Sequence, residues 1–331
     1  MKFYLRSTFF LLILSVFIIS CNKTAEKPDV EDIKVSVNIE RFDRQLMAVK
    51  SKEELQALLK KNQTYIHSLY RTFPEDTAFV SHLYYLITHP ETRALYDQTQ
   101  VHFGELSDIK KEFESAFRYI KSYYPDFKEP KIVTTFTGLE NDIFVSDTLV
   151  IIALEAFVGP TAKYRPQQPD YLLERYQKPY LVPTIIRFLS NGFIKMNDSD
   201  RSLLADMVFF GKAFEFTKAA MPETPDYLII GYTEAKMKEV WDAQDLVWAH
   251  FVDKKLLFEQ NFRIKKKYVD ERPNVPEVGP DCPGRIGQWL GWRIVSRYRT
   301  ENPSVTLQEL MKDNDAQKIF KDSKYRGQIE E

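Results

Sequence analysis

Glycine is scarce in this chain and its few copies are bunched, which constrains the fold more than any motif does. Eleven of 331 residues are glycine, where an average protein carries roughly 7%. Six are spread over residues 1–278, and four crowd into Gly279, Gly284, Gly287 and Gly291. Rossmann sheets, barrels and propellers need glycine at tight turns and phosphate loops throughout, so these classes are excluded. With 44% hydrophobic and 28% charged residues, the chain reads as mainly helical and globular. Lys and Arg number 46 against 47 Asp and Glu, which leaves no basic surplus for a nucleic-acid partner.

The first residues are a targeting signal. Lys2 and Arg6 precede an uncharged stretch from Ser7 to Ser20, whose apolar part runs from Phe9 to Ile19. That is short for a span of about 20 residues. It ends in Ile18-Ile19-Ser20-Cys21, with a polar segment behind. The pattern resembles a bacterial lipobox, which implies cleavage after Ser20 and lipid on Cys21. Two or three acyl chains anchor a protein stably where one does not. The alternatives are an uncleaved signal anchor and a signal peptide with an incidental cysteine. Cleavage removes two cations and no acid, taking the net charge from −1 to −3. Cys282 is then the only other thiol, so a lipidated Cys21 leaves no intrachain disulfide. By the pattern of bacterial lipoproteins, Asn22 after the cysteine, with no acidic cluster behind it, favours the outer membrane over the inner one and says little about the face; the side facing the periplasm is the expected placement.

Residues 1–20 are thus expected to be a signal peptide, 21–32 a flexible tether and 33–331 one globular domain. Ile33, Val35, Val37 and Ile39 alternate with polar residues as in a half-buried strand. Ser51 to Glu54 fits a capping box opening a helix. A second helix carries Leu83 and Ile87 and stops at Pro90. A third, capped by Ser107, carries Phe113 and Phe117. Lys131–Thr137 is β-branched, and 143–152 reads as a β-hairpin. Residues 160–180 form an ordered, Pro- and Tyr-rich loop. Helices are expected over 182–196, 199–219, 233–261, 284–299 and 305–320. The fold class is α+β, mainly helical, with a small hairpin or sheet packed on a helical bundle.

Familiar catalytic motifs are absent: there is no nucleophile elbow, P-loop, dinucleotide fingerprint or HExxH. His82 and His89 share a helical face but lack a third ligand at sensible spacing. No catalytic residue, metal or cofactor is expected. Four charges stand alone in apolar runs: Glu155, Arg187, Lys212 and Arg293. A buried unpaired charge costs several kcal/mol, so these either converge as one polar network, with Glu155 as its acid, or snorkel out separately. In the glycine cluster, Asp281 or Cys282 can cap a helix with Pro283 in its first turn. Gly284, Gly287 and Gly291 then share one face, with Trp289 and Trp292 off it. That face suits close helix packing, or a helix N-terminus beside Arg285 aimed at an anion.

Several stretches together resemble the GldB-type gliding motility lipoproteins of the Bacteroidota. They are Ile39-Glu40-Arg41-Phe42-Asp43, Ile152–Gly159 followed by Tyr164, Phe210–Ala213 with Met221-Pro222, and Cys282–Val295. The likeness runs from about 33 to 326 and agrees with the lipobox. Ala153, Glu155 and Val158 depart from the family's pattern. The family is in turn distantly similar to HExxH zinc peptidases. That relation aligns a ligand helix with Arg187–Asn191 and a third, acidic ligand with Phe210, so the groups that bind zinc would be lost. It implies a zincin-like pseudo-peptidase scaffold without metal. The resemblance implies a lipid-anchored envelope protein that supports gliding and the associated secretion machinery by binding, with envelope protein partners. A hydrolase with an unrecognised site and a peptidoglycan- or glycan-binding lipoprotein are the alternatives.

Overall fold

The computed structural model describes residues 27–327; the signal segment, including Ser20 and Cys21, lies outside the described residues. Four short strands make one mixed sheet: β1 (Ile39–Arg41), β2 (Lys131–Thr135), β3 (Ile143–Val145) and β4 (Leu149–Ala153). Their order is β1-β2-β4-β3, with β1, β2 and β4 parallel and β3 antiparallel to β4. The expected hairpin is therefore β3–β4, and β3 is an edge. The expected strand from Ile33 pairs only from Ile39 onward, although burial alternates along it and Val37 is inside. Instead, the Val37 N–H donates to the Glu114 carboxylate at 3.2 Å. Lys27, within the segment expected to be a tether, pairs with Glu223 and lies 5.5 Å from the centre of the Tyr119 ring.

The sheet sorts its side chains by parity. Ile132, Val150 and Ile152 enter the larger core, while Val133, Leu149 and Ile151 enter a second core on the opposite face. A strand buried on both faces has no polar side, which is why β4 is an unbroken apolar run. The second core is filled by α1 (Phe42–Ala48), α2 (Lys52–Lys61), α3 (Thr77–Thr88) and α4 (Pro90–Phe103). Ser51 caps α2 through the Glu54 N–H at 3.2 Å. Pro90 begins α4, at a first-turn position where its missing N–H costs nothing.

The other face carries the larger helical layer. It comprises α5 (Ser107–Tyr123), α6 (Lys178–Leu189), α7 (Leu203–Ala220), α8 (Asp226–Ile230), α9 (Glu234–Asp242) and α10 (Gln244–Asp253). It continues with α11 (Phe262–Val269), α12 (Ile286–Glu301), α13 (Leu307–Lys312) and α14 (Ala316–Ser323). The fold is thus α+β and mainly helical, with the small sheet packed against helices on both of its faces. The expected helix over 233–261 is broken at Ala243 and ends in a tight turn at Leu256–Phe258. Ser107 does not cap α5; Leu106 precedes the helix in the left-handed region, at φ 60°. No helix among the described residues is long and apolar enough to cross a membrane.

Candidate functional site

The free edge of the sheet opens into a groove of about 830 Å³. One wall is β3 and the turn after it. The other is the end of α6, with Arg187, Phe188 and Asn191; Phe127, Tyr176 and Glu271 complete it. The hydrogen-bond register of β3 decides what this edge offers. The Ala153 N–H bonds the Asp142 carbonyl at 2.7 Å, and the Ser146 N–H bonds the Leu149 carbonyl at 2.8 Å. In an antiparallel ladder, residues alternate between facing the partner strand and facing away. Phe144, opposite Ile151, therefore bonds β4, while the main-chain groups of Ile143 and Val145 point to the open edge. The Ile143 N–H is held by the Asp142 carboxylate at 2.6 Å. The Ile143 carbonyl and both main-chain groups of Val145 remain for an incoming strand.

The isolated charges do not converge on Glu155. Glu155 is fully buried just beyond β4, and one carboxylate oxygen accepts from the Thr137 N–H at 2.6 Å and hydroxyl at 2.9 Å. The Thr137 hydroxyl in turn bonds the main chain of Asn141. Glu155 thus ties down the loop that delivers Asp142 and β3, and it acts as a positioning residue for the groove's edge. Lys212, also buried, donates to the Asp313 carbonyl. Arg293 lies 4.0 Å from Asp226 and over the rings of Trp241 and Trp292, at 4.6 and 4.7 Å. Arg187 alone reaches the groove. Neither one network nor separate snorkelling describes them; Glu155, Lys212 and Arg293 found local partners that their own segments could not reveal, whereas Arg187 has the Phe188 and Phe214 rings beside it.

Burial pushes the Glu155 carboxyl up from its ordinary 4.5 to about 7, against the opposing pull of the Thr137 bonds. Between those values the folded chain holds more protons than the unfolded one, so stability falls as pH rises. The term is fully favourable below about pH 4.5 and is lost through about pH 7, a change of roughly 3 kcal/mol. Melting temperatures at pH 5 and pH 8.5 should therefore differ more in the wild type than in Glu155→Gln. Equal differences in the two proteins would refute the assignment.

The glycine cluster serves three contacts and not one stripe. The helix starts at Ile286, so Gly284 is in the preceding loop, where a methyl group would overlap the Arg272 carbonyl oxygen. Gly287 faces the main chain of Tyr268 on α11, with 3.1 Å left for a methyl. Gly291 meets Met207 on α7, and Gly211 of α7 meets the Gly291 carbonyl in return. Trp289 is buried edge-to-face on Trp241 at 5.6 Å. Neither Asp281 nor Cys282 caps α12; Arg285 precedes it with φ 62° and makes no side-chain cap. Its guanidinium turns to the end of α8, donating to the carbonyls of Ile230 at 2.7 Å and Gly231 at 3.0 Å. A helix C-terminus presents unpaired carbonyls with partial negative charge, and this replaces the expected anion site.

Sequence patterns gave no hint of Glu271, which completes the chemistry here. It lies 2.8 Å from Arg175 and 3.3 Å from Arg285, and it stands in a polar stretch without periodicity. The histidines take separate roles: His82 contacts Glu140 at 2.6 Å, and His89 caps α4. Among the described residues, no three His, Cys, Asp or Glu side chains are grouped to hold a metal ion. Burial pushes the Cys282 thiol up to about 12, which leaves little thiolate near neutral pH. A family model described as gliding motility protein GldB matches residues 23–327. No curated protein and no solved structure matches the chain.

Proposed function

The chain belongs to the gliding motility protein GldB family, and on that premise we propose that it acts in gliding by binding an extended segment of an envelope partner along β3. The family gives the role in gliding motility and fits a lipid-anchored protein of the envelope. Binding in place of catalysis, and support of the associated secretion machinery, are our reading. So are anchoring through lipid on Cys21 and placement on the outer membrane facing the periplasm. The observation that carries it is the open register of β3 beside the groove. An exposed strand edge is a template for another strand, and adding one supplies main-chain bonds while the groove selects side chains. The walls suit this, since Phe127, Phe188 and Phe193 are apolar and Asn191 and Tyr176 are polar.

Val145→Pro tests the mode of binding directly. Proline removes the outward N–H of Val145 but none of the β3–β4 ladder bonds, so an edge strand tolerates it. In cells lacking the chromosomal copy, this variant should accumulate normally yet fail to restore gliding. A photocrosslinker at Phe188, captured with its partner by wild-type β3, should lose that adduct. Normal gliding and an unchanged adduct with Val145→Pro would overturn strand addition.

A further inference from the structure

We infer that the segment entering this groove carries a carboxylate and that Arg187 selects it; the inference rests on the strand-addition reading above. Arg187 ends α6 and lines the groove, with its guanidinium 5.3 Å from the centre of the Phe188 ring and 5.7 Å from that of Phe214. Cation–π contact with the two rings uses the faces of the aromatic groups and takes none of the guanidinium N–H donors away from a ligand. Among the described residues, no carboxylate lies within ion-pair distance of it.

The two neighbouring arginines, Arg175 and Arg285, are already served. Glu271 is divided between Arg175 and Arg285, and Arg285 also holds two carbonyls. Burial and the neighbouring Arg285 and Arg175 press against the charge on Arg187, while Glu271 favours it. The groove's own acids do not answer this charge. Asp142 is occupied by the Ile143 N–H and by the Tyr176 hydroxyl at 2.8 Å. Asp126 and Asp147 are exposed on loops at the rim, beside Lys128. A half-buried guanidinium with free edges is matched by a carboxylate, which it can grip with two parallel bonds. A strand paired with β3 can bring one there either as an Asp or Glu side chain or as a free C-terminus.

The test uses the full chain in detergent micelles and ten-residue peptides of alternating Val and Thr as probes. One has a central Glu, one a central Gln, and one ends in a free carboxylate; the first two are amidated. Binding is read by fluorescence anisotropy. The Glu peptide or the free-carboxylate peptide should bind about tenfold or more tightly than the Gln peptide. Whichever is preferred identifies the source of the carboxylate. Arg187→Gln should erase the preference, and Arg187→Lys should keep only part of it, because an ammonium lacks the bidentate fork. If Arg187→Gln fails to fold, the wild-type ratio and the lysine variant decide. Equal binding of all three peptides, abolished by Val145→Pro, would overturn the carboxylate inference and leave strand addition standing. No binding of any peptide to the wild type would overturn both.

Discussion

Gly291→Ala is expected to destabilise the protein by about 3 kcal/mol or more, at the upper end for overpacking a core. The reason is local and geometric. α7 and α12 cross with their main chains touching, and a methyl at Gly291 would overlap the Met207 carbonyl oxygen. Backbone cannot rotate away as a side-chain tip can, so the helices must move apart. That separation would loosen the buried contacts around it, including the Phe214–Trp292 ring pair at 5.3 Å and the bond from the Trp292 indole to Glu215 at 3.1 Å. Gly279→Ala is the control, since a methyl there meets nothing within 4 Å. Thermal unfolding of the two variants should separate them clearly; equal melting temperatures would mean the helices are not in backbone contact.

Arg285→Ala is the second large effect, expected at about 3 kcal/mol, since hydrogen bonds to charged groups are worth about 1.5–3 kcal/mol each. The substitution leaves the Ile230 and Gly231 carbonyls without their donor and removes a cation lying 5.1 Å from the centre of the Tyr232 ring. Glu271 keeps Arg175, which limits the loss on that side. A distinguishing sign comes from the backbone. Arg285 sits at φ 62°, a conformation that costs residues with a Cβ about 1–2 kcal/mol. Arg285→Gly should therefore be less damaging than Arg285→Ala, the reverse of their order in a helix interior. Arg285→Lys should recover little, because a point charge cannot span two carbonyls and a carboxylate. If alanine proves better than glycine by chemical denaturation, the left-handed conformation is wrong.

The helical layers were largely legible because amphipathic periodicity is a local property. Ser51, the apolar face of α5 and the β3–β4 hairpin all followed from spacing. The misses share a cause. The strand expected from Ile33 has the right alternation, but pairing needs a partner, and β2 lies beside it only from Ile39. The glycines at 284, 287 and 291 pointed correctly to close approach. Which segment approaches each of them, around Arg272, Tyr268 or Met207, is decided well away along the chain, so one stripe became three contacts. Glu155, Arg187, Lys212 and Arg293 were conspicuous because charge in an apolar run is conspicuous. The same logic hid Glu271, whose neighbours in sequence are polar and whose partners are distant.

By itself, the sequence determined the class of fold and the family, since each depends on composition or on residues close together in the chain; lipid on Cys21 remains the expectation it raised. Only the tertiary structure decided that β3 is a free edge, that Arg285 closes another helix, and that Arg187 alone among the four isolated charges faces the groove beside β3. Those properties arise where segments far apart in sequence meet. The free energy of a buried charge depends on who else is there, and local spacing carries no record of that.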